Sequence, residues 1–428
     1  MSFGLRLVIA LGVVSGAVFA CNAIVGVDDV RLRTVKGATN DDGGGINPGG
    51  GDEGGTVGSG TDHGELAMGQ LHVCGRLTTG AVKCWGDNGA GQLGDGLDFA
   101  STARVDPAKV PQSVPNLSGV VSIGSGTKHT CAAKNDGSVV CWGINDFGQL
   151  GNDTMTRSSS TVPVAQLDHA VGIAAGGSFS CALKDDKTVM CWGANYSGQL
   201  GNGDDAGSPS AQLHAVAVAG LSNIVGISAG TVHACAVEGD GGLWCWGSNF
   251  YGQLGNGSTN GTSTPVKLTS LTGVGQVSAG NYFTCAALKS GKVYCWGVND
   301  NGQLGTGTQS NGSVPNPSPI AVPLNDATFL WTAGTNHVCA VRQSGSVACW
   351  GDSSSGQLGY SATVDGSVPS PVQVATITNG FKVWTGGDTS CAIATDGRAY
   401  CWGSNSDGQI GDKTTVTRFT PTQVSSFP

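Results

Sequence analysis

Three residue sets in this chain are equipped for chemistry: its cysteines, a group of histidines and one serine. There are 15 cysteines. Fourteen fall in pairs with a constant spacing: Cys74/Cys84, Cys131/Cys141, Cys181/Cys191, Cys235/Cys245, Cys285/Cys295, Cys339/Cys349 and Cys391/Cys401. Zinc knuckles set their thiolates about two to four residues apart, and no such pair occurs. That leaves disulfides or buried free thiols, and an even, regular set fits an oxidising compartment. His72, His129, His233 and His337 each stand two residues before the first cysteine of a pair, as a ring of metal ligands would. Phe179, Phe283 and Thr389 hold that position in the other units, so it reads as packing. Gly226-Ile227-Ser228-Ala229-Gly230 matches the G-x-S-x-G elbow of serine hydrolases. No alternation of strand and helix surrounds it, and it occupies an ordinary position of a repeat. No phosphate loop, H-E-x-x-H or isolated carboxylate pair is found. The expectation is no catalytic residue, no cofactor and no metal, hence no enzyme. A propeller hydrolase or lyase, built on a carboxylate or histidine cluster, is the alternative.

The elements that must position these residues repeat along the chain. The unit is plain at 124–151, GSGTKHTCAAKNDGSVVCWGINDFGQLG, and its tryptophan returns at Trp85, Trp142, Trp192, Trp246, Trp296, Trp350 and Trp402. These markers are 50 to 57 residues apart. Within the unit, Asn135-Asp136-Gly137 separates two apolar runs, and Gly at the third loop position suits a three-residue hairpin with a bulge. Folding there pairs Lys134 with Ser138 and, counting back, Cys131 with Cys141. A directly opposed pair at a non-hydrogen-bonded site is close enough for a cross-strand disulfide. The second strand is apolar on both faces, with Val139 and Cys141 on one and Val140 and Trp142 on the other. A sheet buried on both faces needs neighbours on both sides, which the blades of a propeller supply. A Thr-Pro or Val-Pro stretch after Gly-Gln-Leu-Gly and a short strand before the next hairpin bring the count to four strands per unit.

Composition narrows the function. Charged residues are 12% of the chain and the net charge is −9, which argues against a nucleic-acid surface. Residues 1–20 read as a signal peptide: Arg6 precedes an apolar run of 14 residues, Leu7–Ala20, short of the roughly 20 needed to span a membrane. The run ends Val18-Phe19-Ala20-Cys21, which resembles the lipobox of bacterial lipoproteins. That resemblance implies Cys21 as the lipid-bearing N-terminus, and it accounts for the odd cysteine. Plain signal cleavage is the alternative. Residues 21–64 then form the lipidated N-terminus and a Gly- and Asp-rich linker, a flexible tether. Weak calcium binding through Asp41, Asp42, Asp52 and Glu53 is the other reading of that stretch. Residues 65–428 hold the seven repeats.

The unit Gly-x-x-His-x-Cys-Ala, Asp-Gly-x-Val-x-Cys-Trp-Gly-x-Asn, Gly-Gln-Leu-Gly resembles the RCC1 (regulator of chromosome condensation) repeat, in its bacterial exported, cysteine-paired variety. The resemblance implies a seven-bladed ring, which with four strands per unit is an all-β, seven-bladed β-propeller with four-stranded blades. The first repeat lacks a long apolar lead-in such as Val120-Val121-Ser122-Ile123, and the last ends in a surplus extended piece, Arg418–Val424. Closure of the ring between the chain's two ends is therefore expected, with Phe419–Val424 adding a strand to the blade of Cys74 and Cys84. The resemblance also implies a ring used for protein binding. Members of the family include exchange factors for a small GTPase, a light sensor and a β-lactamase inhibitor. The resulting expectation is a monomeric recognition module for an unknown protein partner. It would be lipid-anchored in the bacterial cell envelope, at the outer membrane, facing the surface or the periplasm. Guanine-nucleotide exchange is the alternative within the family. The stretches between repeats, Asp95–Asn116, Asp153–Asp168, Thr306–Asp326 and Tyr360–Asn379, are expected to supply the contacts.

Overall fold

The computed structural model describes residues 25–26, 62–97, 107–204, 210–310, 314–332, 336–360 and 366–427. Cys21, Asp41, Asp42, Asp52 and Glu53 lie outside them. All regular structure among the described residues is β. It forms seven antiparallel sheets, each four strands taken from one repeat in chain order. The sheet of the fourth repeat carries one extra strand, Val25–Gly26, paired with Ile227 and Gly226.

The second blade shows how sequence makes the unit. Its strands are Val120–Ser125, His129–Lys134, Val139–Gly143 and Ser158–Pro163. The hairpin between the middle two closes through Lys134 N–H to Ser138 O at 2.9 Å, with Gly137 at φ 81°. This register sets Cys131 directly opposite Cys141.

The same opposition recurs in every other blade. Cys74 faces Cys84, Cys181 faces Cys191, Cys235 faces Cys245, Cys285 faces Cys295, Cys339 faces Cys349 and Cys391 faces Cys401. All seven pairs are disulfides within one hairpin, with Cα atoms 4.0–4.1 Å apart. No bridge joins one repeat to another, and the alternative of buried free thiols does not hold for these fourteen residues. All fourteen are buried, because the middle strands of each blade lie between two neighbouring blades.

The first strand of each blade is buried almost throughout, and the fourth is largely open. First strands of successive blades pack against one another in an unbroken circuit, so they line the ring's axis and fourth strands form its rim. Rim strands carry Pro and hydroxyl residues, as in Ser158–Pro163 and Arg418–Gln423, which discourages edge-to-edge pairing.

Blades are stapled by the residues that define the repeat. Each marker tryptophan is buried and donates its indole N–H to the backbone carbonyl of the glutamine in the preceding blade's Gly-Gln-Leu-Gly turn, at 2.8–3.0 Å. The final glycine of that turn faces the indole: a Cβ on Gly151, at φ +67°, would stand 2.7 Å from Trp192 Cδ1. Only glycine suits both the left-handed backbone and the close approach.

The ring closes between the last blade and the first, but not by sharing a strand. Arg418–Gln423 pairs with Tyr400, Cys401 and Gly403 of its own blade. The blade of Cys74 and Cys84 is completed by its own Glu65–Met68 and Ala108–Ser113. The physical reason is that the last extended piece is not surplus: every blade has an equivalent rim strand. The first blade lacks nothing either, because Leu66, Ala67 and Met68 supply a buried inner strand in four residues. Closure is by packing. Trp85 donates to Gln409 O, the Phe427 ring lies 5.6 Å from Trp85, and Lys83 Nζ donates to Ser426 O at 2.6 Å.

Candidate interaction face

The turn after each marker tryptophan, Trp-Gly-x-Asn-x-x-Gly-Gln-Leu-Gly, turns its fixed residues inward. In the second blade Asn145 is fully buried. Its Oδ1 accepts Leu150 N–H at 2.9 Å, and its Nδ2 donates to Thr154 O at 2.9 Å and Thr156 O at 3.1 Å. Gln149 Oε1 accepts Phe147 N–H at 2.9 Å. These bonds hold the two positions between Asn and Gly outward on a rigid loop. The residue before the histidine position joins the same end of the blade, as Ile144 N–H to Lys128 O and Val298 N–H to Tyr282 O show. The propeller face formed by these two turns therefore carries a small set of display positions around a fixed scaffold.

What stands there differs around the ring. Blades two to five display aromatics. Phe147 is 40% exposed, Tyr196 41% and Phe250 76%. Tyr251 and Tyr282 are half-buried beside them. Phe147 and Tyr196 lie with ring centroids 6.0 Å apart across one seam, and Tyr251 and Tyr282 5.1 Å apart across another. Burial and then the neighbouring Tyr282 raise the Tyr196 phenol, and burial and then Tyr251 raise that of Tyr282. The Tyr196 and Tyr282 phenols are neutral hydrogen-bonding groups at ordinary pH. Blades six, seven and one instead present small or polar residues such as Ser354, Ser406 and Gly89. A contiguous aromatic arc exposed on a rigid scaffold is the surface composition of a binding site.

The opposite face, made by the hairpin tips, carries ion pairs between a basic and an acidic side chain. Lys134 pairs with Asp136, Lys184 with Asp168, Lys267 with Glu238, Arg342 with Asp326 and Arg398 with Asp396.

The sequence-derived candidates fall elsewhere. The four histidines lie in the seams, where each Nε2 stands 2.8–2.9 Å from a hydroxyl of a facing blade: Thr130, Ser180, Thr284 and Ser390. Each hydroxyl gives its own proton to the glutamine carbonyl that holds the tryptophan, so the imidazole is the donor. Burial lowers all four histidines to about 3, with His72 adding to the effect on His129. They are neutral struts between blades. Ser228 is buried, and its Oγ accepts Ala279 N–H of the next blade at 3.0 Å. It is engaged as a strut and is not poised beside a base. The fourteen cysteines of the repeats are likewise structural, each spent on the bridge of its own hairpin. Among the described residues no group of three or more His, Cys, Asp or Glu is placed to hold a metal ion. Part of the stretches between repeats is rim strand, as in Ser158–Pro163 and Ser367–Gln373. The aromatic display positions were missed because they lie inside the repeat motif. The signal was present: Asp146-Phe147, Tyr196-Ser197 and Phe250-Tyr251 vary where their neighbours do not.

Comparison with known proteins agrees with this architecture. A family model described as "RCC1-like domain" matches residues 56–381, and one described as "Regulator of chromosome condensation (RCC1) repeat" matches residues 383–409. The ultraviolet-B receptor UVR8 of Arabidopsis thaliana is 30% identical over 367 residues, 85% of this chain and 70% of the receptor. The human probable E3 ubiquitin-protein ligase HERC4 is 31% identical over 346 residues, which span 80% of this chain but 27% of the ligase. Among solved structures, Prp20p of Saccharomyces cerevisiae superposes with a TM-score of 0.71 at 23% identity, covering 85% of this chain and 88% of that one. Human WBSCR16 gives 0.71 at 20% identity, covering 81% and 94%. At such identities the structures share the fold alone. With its repeats, its seven closed blades and these matches, the chain belongs to the RCC1-like domain family of β-propellers.

Proposed function

We propose that this propeller is a monomeric, non-catalytic protein-recognition module that binds its partner on the aromatic arc of blades two to five. The carrying observation is the exposed run of Phe147, Tyr196 and Phe250, backed by Tyr251 and Tyr282. Aromatic side chains on a pre-formed surface bury much area at little entropic cost. The fold of this chain is also that of Prp20p, whose structure is described together with its binding to Gsp1p and histones. In a cell-envelope setting, Cys21 is the lipid attachment site and residues 21–64 the tether to the outer membrane. The support is the lipobox-like Val18–Cys21 and the single unpaired cysteine of the sequence.

The test places a photo-crosslinking residue at Phe250, and separately at Phe419 on the rim, in the full chain expressed in its host. A protein crosslinked from Phe250 but not from Phe419 is identified, purified and titrated. Phe250→Ala should weaken its binding by about ten-fold or more. Equal capture from both positions, or unchanged affinity, would refute the assignment of this face. Anchoring is tested separately: a radiolabelled fatty acid should label the wild type and not Cys21→Ser.

A further inference from the structure

We infer that the partner segment seated on this face is cationic, a protein surface presenting lysine or arginine next to apolar side chains. The inference rests on the protein-binding reading above and adds the chemistry of the partner. In the two turns that build the face, carboxylates stand at Asp87, Asp146, Asp300, Asp352, Asp388 and Asp407, and the one cation among the described residues of those turns is Lys128. Asp146 precedes Phe147 directly, at one end of the aromatic arc, and Asp300 lies in the fifth-blade turn beside Tyr282, at the other. Four carboxylates occupy the polar sector. Asp87 accepts Gly89 N–H at 2.9 Å and Gln92 Nε2 at 2.7 Å, and Asp352 accepts Ser354 N–H at 3.0 Å. These neutral donors fix Asp87 and Asp352 without cancelling their charge. At the hairpin tips, by contrast, Asp136, Asp168, Glu238, Asp326 and Asp396 are each held by a lysine or arginine.

Two terms of this surface favour the same partner. The π-faces of Phe and Tyr attract cations within about 6 Å of the ring, guanidinium most readily. A cluster of carboxylates creates a negative potential reaching about 8–10 Å at ordinary ionic strength. An arginine laid over the arc meets both at once, while apolar neighbours cover Phe250. The chain already uses the first term within itself, with Lys267 over Trp244 at 5.3 Å and Arg398 over Tyr400 at 6.0 Å. An acidic partner would be repelled by the ring of carboxylates. A neutral glycan would stack on the rings but leave the carboxylates unused.

The experiment titrates the full chain with four probes: a short peptide alternating arginine and leucine, its glutamate–leucine counterpart, its arginine–glycine counterpart and a chito-oligosaccharide. The arginine–leucine peptide should bind best. Asp146→Asn combined with Asp300→Asn should weaken it by about three- to ten-fold and flatten its salt dependence. Phe250→Ala should weaken it by about ten-fold, and Asp136→Asn on the opposite face should leave it unchanged. All these side chains are exposed or at a loop, and unchanged melting temperatures would verify folding. Absence of binding, or equal binding of the glutamate–leucine peptide, overturns the inference. Preference for the oligosaccharide overturns both this inference and the protein-binding reading. The partner crosslinked from Phe250 gives an independent arm. If its crosslinked segment holds no lysine or arginine, the charge inference fails while protein recognition stands.

Discussion

His129 and its three equivalents set the acid limit of the molecule. Each is buried and neutral, donates one hydrogen bond across a seam, and leaves Nδ1 without a hydrogen-bond partner. An unfolded histidine takes up a proton below about pH 6.5, whereas these resist protonation until about 3 because burial penalises the charge. Between those values the unfolded chain binds more protons than the folded one, so stability falls as pH falls. It is undiminished above about pH 6.5 and declines by up to about 1.4 kcal/mol per unit for each histidine within the window. Phe179 and Phe283 fill the same position in other blades, buried and without a hydrogen bond to make. Replacing His72, His129, His233 and His337 together by Phe should therefore flatten the loss of urea midpoint between pH 7 and pH 4, at the cost of four seam hydrogen bonds. A variant with the wild-type slope would show that the acid sensitivity lies in other groups.

At the scale of the element, the hairpin was legible in the sequence because its determinants are local. The Asp-Gly loop fixes the turn, period two fixes the faces, and counting outward places cysteine opposite cysteine. The bridge then closes only a short loop. Replacing Cys131 and Cys141 by Ala should cost at most about 2–3 kcal/mol in chemical unfolding, and mass spectrometry of the unreduced protein should still find the other six bridges intact. A larger loss would mean that the disulfide does more than tether one hairpin. Gly151→Ala should cost more than a surface substitution and should perturb the packing of Trp192, because its Cβ collides with the next blade's indole. What sequence did not reveal is non-local. The inner strand Glu65–Met68 is too short to announce itself by periodicity. Phe147, Tyr196 and Tyr282 belong to different repeats, and they meet only because the ring brings blades two, three and five to one face. Loop variability points to the stretches between repeats, whereas the aromatic display positions lie within the most regular turn, at the two places its hydrogen bonds leave unconstrained.

The whole molecule depends on seven seams in a closed circle, so the one seam with no chain connection decides whether the ring is a ring. Trp85 and Gln409 O form there the same staple that Trp192 and Gln149 O form inside the chain, each at 2.9 Å. Backbone bonds follow the same rule: Lys413 N–H reaches Lys109 O at the closing seam as Asp153 N–H reaches Leu213 O between blades two and three. The closing seam also holds more aromatic bulk, since Trp384 takes the inner-strand place that Ala174 has in the third blade, and it shares a core with Leu66, Met68, Val424 and Phe427. Because no covalent link joins the last blade to the first, these contacts alone oppose opening. Trp85→Phe keeps most of the ring volume but leaves Gln409 O without its indole donor, a loss of about 1–2 kcal/mol. Trp192→Phe should cost somewhat less, because Gln149 O keeps the Ser180 hydroxyl as a second donor, whereas Val73 holds that position in the first blade. Phe427→Ala, which touches only the closing seam, should cost about 3–5 kcal/mol. Equilibrium unfolding of the three variants beside the wild type is the measurement. A Trp85→Phe or Phe427→Ala protein as stable as the wild type, with Trp192→Phe destabilised, would mean that the last blade contributes nothing by meeting the first and that the propeller stands open.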